Sequence, residues 1–155
     1  MYYYYLRFLI TVKTTSCNTS NTYQNDELCY TFVSETKTWA AAQITCHAIG
    51  GYLAEIKTED QNRYVESIIF EHPGHRVWLG ATDLFSEGKW LWMTSATLVS
   101  EAFTYWNPRQ PDGKDGENCM EFNDDASFRH WNDKSCDAKL SFLCQTSIKT
   151  AVVGR

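Results

Sequence analysis

The sequence predicts an α+β domain, and three observations support this fold class. Two segments with helical periodicity lie in the first half of the chain, and short aromatic and β-branched segments occur throughout it. Helices and strands do not alternate regularly, so we expect antiparallel strands rather than a parallel βαβ sheet. A length of 155 residues with 15% aromatic side chains is sufficient for one domain with its own core.

Both predicted helices begin at a threonine. Thr38 is a candidate N-cap for a helix over residues 39–49, where apolar residues recur at three- and four-residue steps. Thr58 is followed three residues later by Gln61, which is a capping-box pattern, and it predicts a second helix that ends near Phe70.

Strands are predicted at five short apolar or alternating segments. They cover residues 29–33, 52–56, 77–80, 89–92 and 140–144. From Thr94 to Ser135 the sequence is rich in Asn, Asp, Gly and Pro, so we expect a long loop without regular structure. Six aromatic residues within that segment predict that the loop is ordered and pinned to the core.

Six cysteines predict a disulfide-bonded, exported protein. They lie at positions 17, 29, 46, 119, 136 and 144, and no two are spaced two to four residues apart as zinc ligands usually are. An even set without metal spacing is typical of disulfides in an oxidising compartment, so we expect a secreted or extracellular protein. Six reduced cytosolic thiols are the alternative, and the residues themselves leave fifteen pairings open.

Net charge and hydropathy disfavour two kinds of partner. With 14 Lys and Arg against 19 Asp and Glu, the chain has a net charge of -5, so neither nucleic acid nor an anionic membrane is expected as its main partner. No apolar run approaches the roughly 20 residues of a membrane span. We predict that residues 1–16 are a leader or the remnant of a signal peptide, with an extra edge strand as the alternative. Residues 17–146 are then a single domain and residues 147–155 a tail.

The sequence lacks the motifs of two common classes of hydrolase. Its four histidines form no His-Glu-x-x-His pattern, and no Gly-x-Ser-x-Gly elbow is present. We therefore expect a binding protein without catalytic activity.

Oxygen-donor side chains are concentrated in three short segments of the predicted loop. These segments are Gln110-Pro111-Asp112, Glu117-Asn118-Cys119 and Trp131-Asn132-Asp133. Calcium takes about 6–8 oxygen ligands from carboxylates, amides and carbonyls, so these donors suit that ion if they meet in space. Solvated turns are the alternative interpretation of segments so rich in Asp and Asn.

Together with motifs elsewhere, these segments resemble the C-type lectin family. The resemblance runs from Cys17 to Cys144 and depends on the order and spacing of short motifs, each of them weak alone. The motifs are Trp39 through Cys46, Gly51-Tyr52-Leu53-Ala54, Trp78-Leu79-Gly80, Gly88-Lys89-Trp90-Leu91-Trp92, Trp106-Asn107, Gln110-Pro111-Asp112, and Trp131-Asn132-Asp133 followed by Cys136.

The resemblance implies a fold and a set of disulfides. Family members have two helices flanking antiparallel sheets and a long loop that binds calcium and sugar. The implied disulfides are Cys46–Cys144, Cys119–Cys136 and, closing the N-terminal hairpin of the long form, Cys17–Cys29. No cysteine would then remain for a covalent dimer, so a homodimer would be non-covalent.

The resemblance also implies a calcium site. In sugar-binding members, one Ca²⁺ is coordinated at the positions of Gln110, Asp112, Glu117, Asn132 and Asp133. Two vicinal sugar hydroxyls complete the shell of the ion and also hydrogen-bond to the residues at the Gln110, Asp112, Glu117 and Asn132 positions. The peptide bond before the residue at the Pro111 position is cis in these members.

The order Gln-Pro-Asp at residues 110–112 resembles that of galactose-type members, whereas mannose-type members have Glu-Pro-Asn. The ligands that this implies are glycans with terminal galactose or N-acetylgalactosamine. Many galactose binders carry an aromatic ring just after this motif, but residues 113–116 contain none. Phe85, Phe128 or His130 could supply a stacking ring from another part of the chain.

A second calcium position of some members resembles Asp83, Glu87 and Asn118, with Glu117 shared. Gly113 falls where those members often have a further ligand, so the set is incomplete, and Asp83 and Glu87 could instead cap a loop. A lectin-like domain that binds a protein, a mineral surface or ice without sugar recognition is the alternative to a lectin.

Overall fold

The computed structural model describes residues 11–14, 17, 20–113, 116–125, 128–148 and 150–153. Within these residues the fold is α+β, as predicted, with two helices and mostly antiparallel strands. The helices are α1 (Trp39–Ala48) and α2 (Glu59–Phe70), and a 3₁₀ helix covers Val99–Glu101. The strands are β1 (Thr11–Thr14), β2 (Thr22–Asn25), β3 (Leu28–Lys37), β4 (Tyr52–Leu53), β5 (Val77–Thr82), β6 (Leu91–Trp92), β7 (Thr97–Leu98), β8 (Cys119–Asp125), β9 (Phe128–Lys134), β10 (Leu140–Ser147) and β11 (Thr150–Val153).

Both helices begin where the sequence predicts. The Thr38 side chain accepts a hydrogen bond from the Ala41 amide at 3.4 Å, and the Thr58 side chain accepts one from the Gln61 amide at 3.1 Å. Each bond satisfies an amide that has no carbonyl partner within its own helix. The predictions of both N-termini are therefore confirmed by the capping geometry itself.

Strand β10 is the centre of the larger sheet. It pairs antiparallel with β3 and β4 and parallel with β5. The order along the sheet is β2-β3-β10-β5-β6-β7, and β8 pairs with both β5 and β9. The strand predicted at residues 52–56 is shorter than expected, because only its first two residues form β4. Strand β10, which comes late in the sequence, thus joins the β2–β3 hairpin to β5, and β5 pairs with the β8 strand that leads to the donor segments.

The expectation of an irregular segment from Thr94 to Ser135 is wrong over its second half. Residues 119–125 and 128–134 form β8 and β9, which pair antiparallel in continuous register. Their Asn and Asp residues, which usually favour turns, occupy strand positions because neighbouring Met120, Phe122 and Trp131 are fully buried. Among the described residues of the first half, regular structure is limited to β7 and the 3₁₀ helix.

A cluster of aromatic side chains lies beneath the donor segments. The Trp131 ring is fully buried and meets those of Trp92, Phe103 and Trp106 edge-to-face, at centroid distances of 5.7, 5.8 and 6.0 Å. Such pairs contribute roughly 0.5–1.5 kcal/mol each beyond the burial of apolar area. The indole nitrogen of Trp131 also donates to Asn62 Oδ1 on α2 at 3.1 Å. The cluster therefore holds β9 against α2 and against the loop that precedes β8.

The three disulfides are those that the family resemblance implies. Cys46–Cys144 joins α1 to β10, Cys119–Cys136 closes the base of the β8–β9 hairpin, and Cys17–Cys29 ties the N-terminal segment to β3. Cys46 and Cys144 are 98 residues apart, and a cross-link over that length stabilises the fold by roughly 4–5 kcal/mol in the chain-entropy account.

Strands β1 and β11 form a separate two-stranded antiparallel sheet. They belong to the segments 1–16 and 147–155 that flank the predicted domain, and residues 1–10 lie outside the described residues. In the part of the chain that the structure describes, no helix is long and apolar enough to cross a membrane.

Replacing Asn62 by Ala should destabilise the fold by about 1–3 kcal/mol, because the buried Trp131 N–H would lose its acceptor. Urea unfolding of the wild type and the variant measures the difference. Thr58→Ala, which removes the N-cap of the same helix, is the comparison and should cost about 1 kcal/mol. A loss for Asn62→Ala below about 0.5 kcal/mol would show that another group can satisfy the indole.

Candidate metal centre

Three carboxylates converge near the end of β9. One oxygen each from Asp112, Glu117 and Asp133 lies within 4.8 Å of the others. Asp133 is buried, Glu117 is half-buried and Asp112 is exposed on the loop. Among the described residues, no other group of three acidic, histidine or cysteine side chains meets in this way. Like charges this close repel one another unless a cation lies between them.

Asp133 is the most constrained of the three carboxylates. Its Oδ2 accepts hydrogen bonds from the amides of Asp112 and Gly113 at 3.1 and 3.2 Å. Its Oδ1 is buried and has no hydrogen-bond partner. Burial raises the pKa of the Asp133 carboxyl above its ordinary value, although hydrogen bonds from backbone amides, those of Asp112 and Gly113 among them, oppose that shift. A buried carboxylate oxygen without a donor is a group that a coordinated cation would satisfy.

The Gln110–Pro111 peptide bond is cis, as the family resemblance implies. The side-chain oxygen of Gln110 (Oε1) accepts a hydrogen bond from the backbone N–H of Asp112 at 3.0 Å. The backbone N–H of Gln110 donates to the backbone carbonyl of Asn107 at 2.8 Å. The Asn107 amide in turn donates to the Trp131 carbonyl at 2.9 Å. The motif is thus tied through the main chain to the strand that carries the buried carboxylate.

Asn132 is held by an ion pair that the sequence analysis missed. Its Nδ2 donates to Glu121 Oε1 at 2.8 Å and to the Asp133 carbonyl, and Arg76 pairs with the same Glu121 oxygen. Burial raises the pKa of the Glu121 carboxyl, while Arg76 and Asn132 act to lower it. The sequence signal that could have indicated this pair is Glu121 itself, an acidic residue between the apolar residues Met120 and Phe122. Since the Asn132 nitrogen is engaged, its carboxamide oxygen is the atom left for a ligand.

Glu117 has a cationic neighbour that the sequence analysis also missed. Lys134 Nζ lies 3.2 Å from Glu117 Oε1, and both side chains are partly buried. The ammonium offsets one of the three carboxylate charges and competes with a divalent cation for that oxygen. No local sequence pattern links the two residues, because the β8–β9 hairpin brings them together.

The residues considered for a second ion lie on the loop after β5 and at the start of β8. Asp83 Oδ2 accepts from the Gly88 amide at 2.9 Å, which is a loop-capping contact, while its Oδ1 is buried without a partner. Glu87 is exposed, and its Oε1 lies 3.0 Å from where a Cβ on Gly113 would be. The Asn118 carbonyl accepts from the Asp83 amide at 3.3 Å. Asp83 therefore caps its loop and still has one oxygen available.

The three candidates for a sugar-stacking ring have different environments. Phe85 is 71% exposed on the loop after β5. The His130 ring stacks on Tyr105 with centroids 4.4 Å apart, so one of its faces is covered. The Phe128 side chain lies outside the described part of the chain.

The donor set at Asp133 suits a hard divalent cation. Carboxylate and amide oxygens are the ligands that Ca²⁺ and Mg²⁺ prefer, and no described cysteine is free to offer a thiolate. Mg²⁺ demands near-ideal octahedral geometry and usually keeps several waters, whereas Ca²⁺ accepts larger, irregular sets of protein oxygens. The unpartnered Asp133 oxygen within a group of carboxylates and amides therefore fits Ca²⁺ better.

Residues 35–146 match a family model described as the lectin C-type domain, which is more than half of the chain. The chain belongs to the C-type lectin family. Proteins of this family are generally non-catalytic and bind carbohydrate, and C-type lectin domains typically bind Ca²⁺.

Two relatives among C-type lectins cover most of this chain. Perlucin of Haliotis laevigata is 32% identical over 79% of this chain and 79% of its own length. The galactose-specific lectin nattectin of Thalassophryne nattereri is 32% identical over 87% of this chain and 83% of its own length.

Solved structures of C-type lectin fold differ in their relation to calcium. A Ca²⁺-dependent type II antifreeze protein, in its Ca²⁺-free form, has a TM-score of 0.74 and 28% identity, over 83% of this chain and 99% of that one. A calcium-independent type II antifreeze protein has a TM-score of 0.73 over 90% of this chain and 98% of that one. Its identity of 22% shows similarity of fold alone.

In the presence of a chelator, replacing Asp133 by Asn should stabilise the protein at neutral pH. The pKa of Asp133 is raised in the folded state, so ionising this carboxyl costs folding free energy, which a neutral amide avoids. We expect a gain of about 1 kcal/mol at pH 7 that shrinks as the pH falls and disappears well below the unfolded-state pKa of about 3.9, where the carboxyl is protonated in both states. Urea unfolding across this pH range measures the difference. A variant less stable than the wild type at pH 7 would show that the carboxylate is not destabilising.

Proposed function

We propose that the protein is a calcium-dependent, non-catalytic lectin that binds terminal galactose or N-acetylgalactosamine. The side chains that would hold the ion are Gln110, Asp112, Glu117, Asn132 and Asp133, and all of these except Asp133 would also hydrogen-bond to the sugar. The observation that carries the proposal is the buried Asp133 Oδ1, which has no donor and belongs to a group of three carboxylates.

The surrounding residues prepare this site for a ligand. A bound calcium ion supplies positive charge and the coordination positions that two vicinal sugar hydroxyls take. Two loop amides orient the Asp133 carboxylate, and the Arg76–Glu121 pair orients the Asn132 carboxamide. Side chains that are fixed in this way lose little conformational entropy when a ligand binds.

The galactose preference is inferred from the order of the donors around Pro111. A pair of vicinal hydroxyls is recognised through the relative orientation of the two groups. The Gln110 carboxamide can donate and accept a hydrogen bond, whereas the Asp112 carboxylate only accepts, so their order determines how each hydroxyl must be oriented. Gln110 before the proline and Asp112 after it is the galactose-type order. The 32% identity to nattectin, which is named as a galactose-specific lectin, supports the same assignment.

An extracellular location and glycan partners complete the proposal. Three disulfides require an oxidising compartment, and Cys17–Cys29 is the additional disulfide of the long form, with the domain over residues 17–146. Binding of a single sugar is usually weak, so avidity would need several sites in one assembly. Because all six cysteines pair within the chain, a homodimer that supplied this avidity would be non-covalent.

Retention on immobilised galactose and on immobilised mannose, each with calcium and with a chelator, tests the proposal. We expect chelator-reversible retention on galactose alone. Glu117→Gln and Asp133→Asn should abolish it and weaken calcium binding at least about tenfold, because each removes a charged ligand. Glu101→Gln and Asp137→Asn are matched controls at exposed acids outside the site, and they should be retained normally.

Different outcomes contradict different parts of the proposal. Normal retention of Asp133→Asn, or retention that survives the chelator, would contradict the calcium site. Retention on mannose alone would contradict the sugar assignment. Absence of retention on both resins would favour a lectin-like domain that binds a protein, a mineral surface or ice, a candidate supported by the 28% identity to a type II antifreeze protein.

We further propose that Asp83, Glu87 and Asn118, with Glu117 shared, hold a second calcium ion. The unpartnered, buried Asp83 Oδ1 supports this site. Calorimetric titration should give two calcium ions per chain for the wild type and one for Asp83→Asn. Asp83→Asn should keep galactose retention at saturating calcium, unlike Asp133→Asn. A stoichiometry of one for the wild type would contradict the second ion.

A further inference from the structure

A cleft of about 450 Å³ borders the candidate calcium site. Pro111, which stands between the donors Gln110 and Asp112, lines the cleft together with Trp90 and Trp106. Its volume lies in the range of roughly 300–1,000 Å³ that small-molecule sites occupy. The cleft is therefore continuous with the Gln-Pro-Asp motif and large enough for a ligand group of its own.

Aromatic surface and hydrogen-bond donors line this cleft together. The half-buried Trp106 ring packs edge-to-face against Trp90, with centroids 4.9 Å apart. Trp90 is only 6% exposed and its indole nitrogen is buried, so Trp90 supports the Trp106 ring and does not itself offer a donor to the cleft. Lys89, Ser100 and Thr104 are exposed at the cleft and add an ammonium and two hydroxyls.

This mixture of surfaces decides between the two occupants that an aromatic cleft can take. An alkyl chain would cover the hydroxyls of Ser100 and Thr104 and the ammonium of Lys89 without offering them an acceptor, which costs free energy for each group. A pyranose ring covers aromatic surface with its C–H face and presents hydroxyl oxygens to the same donors. The chemistry of the lining thus favours a sugar.

We propose that the cleft is a second sugar subsite, which holds the residue next to the terminal galactose of an oligosaccharide. This inference rests on the proposed function. A glycan whose terminal sugar contacts Gln110 and Asp112 extends from a point beside Pro111, so its second residue is within reach of the cleft. The aromatic contact that residues 113–116 do not provide is then made by Trp106, to the second sugar instead of the first.

Competition for galactose resin in calcium tests the subsite. The competitors are methyl galactoside, disaccharides that carry galactose at the non-reducing end in different linkages, and octyl galactoside. At least one disaccharide should compete about tenfold more strongly than methyl galactoside, because it adds stacking and hydrogen bonds. Octyl galactoside should compete no better than methyl galactoside.

Two substitutions fill the cleft without touching the calcium site. Ser100→Trp and Thr104→Trp place a large ring at exposed positions of the lining, and each should reduce the disaccharide advantage to less than about twofold. Competition by methyl galactoside should stay unchanged in both. Ala102→Trp, an exposed position that is not part of the lining, is the matched control and should keep the advantage.

The outcomes distinguish failure of the second sugar subsite from failure of the proposed galactose binding. The subsite is overturned if no disaccharide has an advantage, if the advantage survives both filling variants, or if Ala102→Trp removes it equally. An advantage for octyl galactoside alone overturns it in favour of an apolar groove. If methyl galactoside itself fails to compete, or the protein is not retained on the resin, the proposed function fails and the subsite fails with it.

Discussion

The main-chain hydrogen bonds of Trp131 are the constraint on which the candidate site depends. Its amide donates to the Tyr105 carbonyl and its carbonyl accepts from the Asn107 amide, both at 2.9 Å. This short parallel bridge ties an irregular loop to a regular strand, while Asn62 fixes the indole ring on the side of α2. The two residues that follow on β9 carry a carboxamide and a carboxylate, so donors from the loop and from the strand meet. Without that bridge, the loop donors Gln110 and Asp112 would not be held against the strand donors and would bind an ion only after losing conformational freedom.

Two buried carboxylates on neighbouring strands show how charge is divided between structure and ligand binding. Glu121 is paired with Arg76 inside the protein, but its Oε2 is buried without a partner and burial still raises the pKa of its carboxyl. Asp133 accepts hydrogen bonds from the Asp112 and Gly113 amides on one oxygen, and its other oxygen is left buried without a donor. Both acids therefore keep one buried oxygen without a donor, but Glu121 faces a guanidinium within the protein and orients Asn132, whereas Asp133 faces two further carboxylates.

Features were predictable from the sequence when the interacting residues are close together along the chain. The caps at Thr38 and Thr58 involve residues three positions apart, so a local pattern was sufficient. The disulfide pairs and the calcium ligands were expected from family resemblance, since spacing alone left them open. The pairing of β8 with β9 was missed because burial, which is a property of the whole fold, overrode the turn preference of the Asn and Asp residues in these strands. Arg76 and Glu121 are distant in sequence, and nothing in either local pattern indicates the other.

The central position of β10 also determines when the domain can be completed during biosynthesis. Three strands pair with β10, and its Cys144 is the partner of a cysteine 98 residues earlier. At translation rates of about 5–20 residues per second, Cys46 is synthesised roughly 5–20 s before its partner. During that interval its thiol can meet Cys17 or Cys29, which already exist, and a wrong bridge among them must be exchanged later. The nascent chain therefore depends on disulfide exchange in its compartment as well as on the final stability of the fold.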